Sequence, residues 1–218
     1  MDNRQASTDT VYEPTADRVL AACKEFDEQN GVGEQALTEL FGWFPRNDSN
    51  PHVLLKVAAL NALYHTNILA LGDVAHHIHE RGREVDFALA LGSPEIVDTI
   101  AVVTISATGK ERRNYCFASK YCSWHKEASY PIWDSRVRAY LTWLRRRPKG
   151  SFLVKNPDSW TEYGEFVGMV NDLRKAYSLD GISFKQIDKF LYTEGEKLIA
   201  EKEHLRAARK STAASTQL

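Results

Sequence analysis

The fold is best approached from residues 114–137, NYCFASKYCSWHKEASYPIWDSRV. This stretch predicts a helix, a short polar and aromatic connection, and a second helix that begins after an apolar segment containing proline. Residues spaced i, i+4, i+7 and i+11 share one face of an α-helix. One face of the first helix is therefore predicted to carry two cations and two aromatic rings, from Arg113, Phe117, Lys120 and Trp124.

Asp134 occupies the position expected of a helix N-cap. It follows the segment 130–133, YPIW, and precedes Ser135, Arg136 and Val137. Aspartate is among the preferred residues at an N-cap because its carboxylate accepts hydrogen bonds from the first backbone amides. A carboxylate that starts a helix and faces basic and aromatic side chains is unusual for a residue that serves only the core. Asp134 is therefore the leading candidate for a functional residue.

Composition indicates an ordinary soluble chain. Its 218 residues are compatible with one domain or two small lobes, and 43% are hydrophobic and 26% charged. The net charge of −1 means that any nucleic-acid surface must come from local clustering of charge. Three cysteines without a CxxC pair predict a reduced, cytoplasmic setting and no zinc ribbon or disulfide framework. No leader or membrane-spanning run is recognised, so we expect no membrane association and no cofactor.

Helical periodicity dominates the chain and predicts an all-α fold, a compact helical bundle. The expected organisation is a loose arm over 1–13, one helical domain over 14–209 and a disordered tail over 210–218. Asn30-Gly31 is predicted to end the first helix. Residues 102–105, VVTI, are the most β-like run, and we interpret them as the end of a helix.

Residues 104–110 are predicted to form a turn between two helices. Gly109 supplies a permissive backbone, and Lys110, Arg112 and Arg113 add positive charge. Exposed amides of such a turn, followed by a helix N-terminus, can bind a DNA phosphate. A second basic group includes Arg136, Arg145 and Arg146. It either forms a solvated helix face or contacts phosphates.

Residues 117–120, FASK, followed by 131–137, PIWDSRV, resemble the closing half of the helix-hairpin-helix DNA glycosylase signature. The pattern is most similar to the archaeal 8-oxoguanine glycosylase branch, in which F-A-x-K leads to P-x-P-V-D-x-R-V. The resemblance extends over about residues 104–137 and implies two small lobes with a cleft between them. The usual L-P-G-V-G-x-K hairpin is replaced by ISATGK at 105–110, and Arg113 stands at the position of the family's lysine.

The resemblance implies excision of a modified base from double-stranded DNA by a monomeric enzyme. Asp134 would be the essential carboxylate, because it can stabilise the positive charge that develops on the sugar and activate a nucleophile. Lys120 or Lys110 would supply the amine of a bifunctional enzyme that also nicks the strand. If neither lysine reaches the sugar, water would complete the reaction. The base would be an oxidised purine or a bulky modified cytosine, such as the glucosyl-hydroxymethylcytosine of phage DNA, so the role would be DNA repair or antiphage defence.

A flipped base is bound largely by stacking on aromatic side chains. The predicted stacking walls are Trp124, Trp133, Tyr121 and Tyr130. His125 is a candidate polar contact to the base, and Asn61 and Tyr64 are further candidates for the base pocket. The alternative for each is an ordinary role in the core or on a solvated face.

A second hypothesis belongs to a different class of protein. In it the chain is a non-catalytic helical module that binds nucleic acid or a protein partner, and Asp134 is only a helix cap. His76 and His79 lie one turn apart, but no acidic or cysteine partner stands at a suitable spacing, so no metal site is predicted.

Overall fold

Helices make up most of the regular structure in this computed structural model, which describes residues 12–153, 156 and 159–215. The expected all-α class is therefore confirmed at the level of a predominantly helical protein. The elements, in chain order, are α1 (Ala16–Trp43), α2 (Asn50–Tyr64), α3 (Leu71–Glu80), α4 (Gly82–Leu91), α5 (Glu95–Ala101), β1 (Val102–Ile105), β2 (Lys110–Arg113), α6 (Tyr115–His125), α7 (Ser135–Leu144), α8 (Pro148–Leu153), α9 (Tyr163–Ala176) and α10 (Phe184–Ser215). Within these ranges, no helix is both long enough and apolar enough to cross a membrane.

Helix α1 is longer than the sequence predicted. It begins after Thr15, whose side chain accepts a hydrogen bond from the Arg18 amide, and continues to Trp43. The predicted end at Asn30-Gly31 is wrong. An interior glycine costs a helix about 1 kcal/mol, and burial of Phe26, Leu37 and Phe41 on either side of it outweighs that cost.

The predicted turn between two helices is instead a β-hairpin. β1 pairs antiparallel with β2 in the register Val102 to Arg113 and Ile105 to Lys110. The interpretation of VVTI as a helix end is therefore corrected: β-branched residues favour the strand, where their stiff side chains fit the pleat. Gly109 has a φ of +62° in the connecting turn, which glycine adopts without strain.

Helix α10 packs against both α7 and α1, and these three helices surround the site described below. Tyr140 of α7 and Phe190 of α10 pack edge to face, with ring centroids 5.3 Å apart. α10 approaches α7 closely at Gly195, where a Cβ atom would lie 2.1 Å from the carbonyl oxygen of Arg136. Only glycine permits this contact between α10 and the first turn of α7.

Reciprocal hydrogen bonds at Ser183 and Gln186 begin α10. The Ser183 amide donates to the Gln186 side chain at 2.9 Å, and the Gln186 amide donates to the Ser183 hydroxyl at 3.2 Å. This arrangement is the capping box that the sequence predicts. The backbone then stays helical to Ser215, and the expected disordered tail over 210–218 stays a prediction. Residues 1–11 of the predicted arm and 216–218 of the tail lie outside the described residues.

Candidate active site

A buried ion pair joins α6 to the start of α7. Asp134 is the N-cap of α7, as predicted, and its Oδ1 accepts hydrogen bonds from the amides of Arg136 at 2.9 Å and Val137 at 3.0 Å. Its Oδ2 accepts a hydrogen bond from Lys120 Nζ at 3.0 Å. The two side chains are only 3% and 2% exposed. The helix N-terminus and the ammonium therefore both stabilise a carboxylate that has almost no contact with bulk water.

The surroundings of Lys120 keep its ammonium charged. Burial alone lowers the pKa of this group, but Asp134 and Cys116 more than offset that effect and raise the pKa above its ordinary value. The Cys116 sulfur lies 3.3 Å from Nζ, and the ring of Tyr64 lies below it with its centroid at 5.2 Å. The ammonium of Lys120 is therefore charged at neutral pH, where it donates its hydrogen bond to Asp134.

This pair faces an inner cavity of about 320 Å³ between α1, α2, α7 and α10. The cavity contains an unusual density of ionisable side chains for a protein interior. It is lined by Phe26, Glu34, Tyr64, Lys120, Ile132, Asp134, Val137, Lys185, Asp188, Lys189 and Tyr192.

An outer cavity of about 770 Å³ continues from the inner one. The two share Phe26, Glu34, Tyr64, Lys120 and Tyr192, and the outer cavity extends past Gln29, Asn30, Gly33, Leu63, His65 and Arg136. Lys120 thus stands at the boundary, with Asp134 on its inner side. Of its volume of about 320 Å³, the inner cavity leaves only about 20 Å³ free, which is room for little more than a water molecule. A larger ligand must therefore displace side chains that line the cavity.

Asp188 contributes a second carboxyl group to the inner cavity. It is 4% exposed, and its Oδ1 accepts a hydrogen bond from the Ile132 amide at 2.9 Å. Its Oδ2 is buried and has no hydrogen-bond partner among the described residues. Burial raises the pKa of Asp188 well above its usual range, and the Ile132 amide and Lys185 only partly oppose this effect. Its surroundings therefore favour the protonated form of the carboxyl group.

Glu34 organises the wall of the cavity opposite the ion pair. Its carboxylate accepts a short hydrogen bond from the Tyr64 hydroxyl and pairs with Lys185 Nζ at 2.9 Å and Lys189 Nζ at 3.5 Å. Lys185 also lies over the ring of Trp124, 4.2 Å from its centroid. This network connects α1, α2, α6 and α10, and it fixes one side of the opening.

Three of the predicted residues lie near the cavities in addition to the ion pair. Tyr64, a candidate for the base pocket, lines both cavities. Arg136 lines the outer cavity, where it pairs with Glu196 at 3.6 Å and covers the ring of Tyr192. Trp124 packs behind the wall, against Tyr64 and Lys185, and does not itself line either cavity. The predicted helical stripe holds for Phe117, Lys120 and Trp124, but Arg113 belongs to β2 and is exposed.

His125, a candidate for the base pocket, lies in the core and does not line the inner or the outer cavity. Its Nε2 is 3.2 Å from Nζ of Lys56, a fully buried lysine that also donates to the Asn47 side chain at 2.9 Å. Burial and the charge of Lys56 lower the pKa of His125 to about 3, so the ring stays neutral. Burial likewise lowers the pKa of Lys56 to about 8.

Tyr130, Trp133 and Asn61 also serve the structure rather than line the cavities. Tyr130 is fully buried and donates its hydroxyl hydrogen to backbone carbonyls of Ala88 and Ser93. Trp133 packs edge to face against two aromatic rings next to α9, those of Trp160 and Phe166. Asn61 bonds the backbone of Ile68 and the hydroxyl of Thr66, and so fixes the loop after α2.

The β-hairpin residues do not reach the Lys120–Asp134 pair. Lys110 is exposed on β2 and does not line the inner or the outer cavity. Arg112 and Arg113 line a separate cavity of about 1090 Å³ next to β1, and Gly109 serves the turn. Lys110 is therefore excluded from the constellation around Asp134.

Arg145 and Arg146 line a groove beside α7. This groove has a volume of about 1280 Å³ and begins at Ser135, the residue after the N-cap. Arg138 and Lys202 add two further cations to its walls. A basic surface thus runs from the end of α7 to its first turn, close in sequence to Asp134.

The predicted absence of a metal site remains an expectation. His76 faces Glu80 at 3.9 Å, whereas His79 Nδ1 lies 3.2 Å from the Asn47 carbonyl oxygen. In the described ranges, no group of three or more histidine, cysteine, aspartate or glutamate residues is placed to hold a metal ion.

Sequence reasoning missed Asp188, Glu34, Lys185 and Lys189. Glu34 comes from the first helix and the other three from the last one, so no local pattern joins them to Lys120 and Asp134. One signal was present: the polar residues Lys185, Asp188 and Lys189 follow the capping box with helical spacing. A helix turned towards solvent shows the same pattern, and only the packing of α10 on α1 distinguishes the two.

Fold and site together define a predominantly helical protein with a buried lysine–aspartate pair at the entrance to a cavity. The chain belongs to the family HI_0787_N, whose model is described as an N-terminal domain and matches residues 16–129. It is 32% identical over 146 residues to a protein of Haemophilus influenzae described as an "Uncharacterized protein", which covers 67% of each chain. No solved structure matches. The family match includes Lys120 and ends before Asp134 and Asp188.

Proposed function

We propose that the protein is a DNA glycosylase, which flips a modified base out of the duplex and cleaves its N-glycosidic bond. The observation that carries this proposal is the buried Lys120–Asp134 pair at the N-terminus of α7, beside a cavity that continues outward to Arg136. The helical arrangement would be a divergent form of the helix-hairpin-helix glycosylase fold, with two small lobes and a cleft. A β-hairpin would replace the family's helical hairpin.

Cleavage of the N-glycosidic bond requires an ionised carboxylate near the anomeric carbon. Cleavage of an N-glycosidic bond builds positive charge on the sugar, as in glycoside hydrolysis, and a fixed carboxylate stabilises that charge. Asp134 is held in one orientation by two backbone amides and by Lys120. Because its position is fixed before substrate binds, little reorganisation is needed during the reaction.

The charged state of Lys120 favours water over lysine as the nucleophile. A lysine attacks the sugar only as a free amine, and the raised pKa of Lys120 makes that form scarce at neutral pH. Lys120 would instead orient Asp134 and contact the DNA backbone or the sugar. We therefore propose a monofunctional enzyme.

The outer cavity would admit the flipped nucleotide, whose sugar and base would reach Asp134 by displacing side chains that line the inner cavity. The basic groove would bind the flanking backbone. Of the outer cavity's volume of about 770 Å³, about 250 Å³ is free for a ligand, slightly less than the roughly 300–1,000 Å³ of typical small-molecule pockets. An oxidised purine would need less of this space than a bulkier modified cytosine. Arg145 and Arg146 of the groove would contact phosphates, which position a protein on DNA without reading its sequence.

The direct test is base release from a panel of duplexes, each with one modified base. The expected result is release by the wild-type protein from at least one duplex and its loss in Asp134→Asn, with near-normal duplex binding. Lys110→Met is the matched control, because this lysine is exposed on β2 and should be dispensable. Undiminished release by Asp134→Asn would refute the mechanism. Borohydride trapping should give no adduct through Lys120; a trapped adduct would establish the lysine route instead.

A second candidate function is a non-catalytic helical binding module. The observation that favours it is that the N-cap bonds and the ion pair already account for both oxygens of Asp134. On this hypothesis, duplex or partner binding depends on the groove arginines, and no duplex in the panel loses its base. The same assays therefore distinguish the two functions.

A further inference from the structure

The inner cavity contains two carboxyl groups in opposite environments. Asp134 bonds two amides and a lysine ammonium, whereas Oδ2 of Asp188 meets no donor among the described residues. Two carboxyl groups whose surroundings favour different protonation states are the usual basis for dividing acid and base roles. We infer that Asp188 is a second catalytic carboxyl of this site, a proton donor to the departing base. This inference rests on the proposed function.

The hydrogen bonding of Asp188 determines which oxygen carries the proton. Oδ1 accepts from the Ile132 amide, so this oxygen is committed as an acceptor. Oδ2 is then the protonated oxygen, and its hydrogen is available to a ligand in the cavity. An ordinary core aspartate would have both oxygens bonded by protein groups, because an unpaired buried polar atom costs about 1–3 kcal/mol.

The charges around Asp188 fit a neutral acid that can later become ionised. Its own helix contributes Lys185, α6 contributes Lys120, and Asp134 faces it from the start of α7. Further ionisable groups facing the same cavity or Asp188 itself are Glu34, Tyr64, Tyr163, Lys189 and Tyr192. Lys185 and Lys120 would stabilise the carboxylate that remains after proton transfer. Asp188 therefore need not be protonated again before the base leaves.

The proposed step balances without any other reactant. The bond between C1′ and the base nitrogen breaks, its electron pair stays on that nitrogen, and the base takes the proton of Asp188. A water oxygen bonds to C1′ and passes one proton to Asp134. Exchange of protons with solvent then restores Asp134 as carboxylate and Asp188 as acid. The products are the free base and a sugar with a hydroxyl at C1′.

Asp188→Asn is a suitable variant because the amide oxygen can still accept from Ile132 while the acidic proton is lost. General acid catalysis typically contributes about 10²–10⁴-fold, and we expect kcat for base release to fall by that factor. Release by the wild type should decline about tenfold per pH unit above the titration of Asp188, and the variant should lack this decline. Asp180→Asn, at an exposed position before α10, is the control and should match the wild type.

The protonation state of Asp188 can be measured independently of base release. Carbon-13 NMR of the full chain labelled at aspartate Cγ should show one signal with the shift of a carboxylic acid at neutral pH, absent from Asp188→Asn. A carboxylate shift at neutral pH overturns the inference, and so does release by Asp188→Asn within twofold of wild type. In either case the proposed function stands if the wild type releases base. Absence of release from every duplex by the wild type refutes the function and the inference together.

Discussion

Removing one charge of the Lys120–Asp134 pair should strongly destabilise the protein. Asp134→Asn keeps an N-cap residue, because asparagine caps a helix about as well as aspartate. The loss therefore comes from the lysine, whose ammonium is left without a carboxylate at a site where its side chain is 3% exposed. Breaking a buried pair in this way costs about 3–5 kcal/mol. For a chain of this size that corresponds to a fall in Tm of roughly 2–4 °C per kcal/mol.

A double-mutant cycle separates the pair from its surroundings. The free energy of unfolding is measured by urea titration at pH 7 for the wild type, Asp134→Asn, Lys120→Met and the double variant. We expect each single variant to lose several kcal/mol and the double variant to recover much of that loss, because it leaves no buried charge unpaired. The control is the Lys24–Glu28 pair on the surface of α1, where the side chains are 81% and 67% exposed. Glu28→Gln there should change stability by less than about 1 kcal/mol.

Two outcomes would refute this reasoning. The first is a change in Asp134→Asn no larger than that of Glu28→Gln, which would mean that Lys120 is solvated in solution. The second is simple additivity of the two single variants, which would mean that the two groups do not interact energetically.

Three further predictions concern the protonation and packing of the interior. Burial raises the pKa of Asp188 well above its usual range in the folded protein, whereas the unfolded chain releases this proton at a pKa of about 3.9. Wild-type stability relative to Asp188→Asn should therefore fall by about 1.4 kcal/mol per pH unit between pH 4 and the folded-state pKa of Asp188, as measured by urea titration; a flat difference from pH 4 upward would contradict the raised pKa. Lys56, with its pKa lowered to about 8, is neutral above that pH when folded. Unfolding then takes up a proton, so stability should rise between pH 8 and about 10.4, and Lys56→Met should abolish that rise. Gly195→Ala would place a methyl group 2.1 Å from a backbone oxygen and should lower stability by about 1–3 kcal/mol or more in thermal unfolding. Gly168→Ala in α9 meets no atom within 4 Å and should instead raise stability by about 0.5–1 kcal/mol, and a loss there equal to that of Gly195→Ala would contradict the packing argument.

Local signals in the sequence were sufficient where a local interaction decides the structure. The N-cap at Asp134 could be predicted because an apolar segment with proline and then a polar residue precede a helical pattern. The capping box at Ser183 could be predicted from two side chains that are three residues apart. Lys120 and Trp124 share a helix face as their spacing predicts. These features depend on contacts within one or two turns of the chain.

The misjudged features depend on partners that are distant in the sequence. VVTI forms a strand because residues 110–113 pair with it, and α1 continues past Gly31 because its two halves are buried together. Tyr130 lies in the core because α4 and the turn after it provide acceptors for its hydroxyl. Asp188 joins the site because α10 packs on α7 and α1, which no spacing within α10 reveals.

The site can be completed only after α10 has been synthesised and has packed on α1 and α7. Lys120 leaves the ribosome before Asp134, and Asp188 follows about fifty residues later. Until α10 docks, Glu34 on α1 lacks Lys185 and Lys189, and the cavity lacks one wall. A nascent chain therefore cannot present the complete constellation, and any cleavage reaction that depends on it begins only after the last helix has been added.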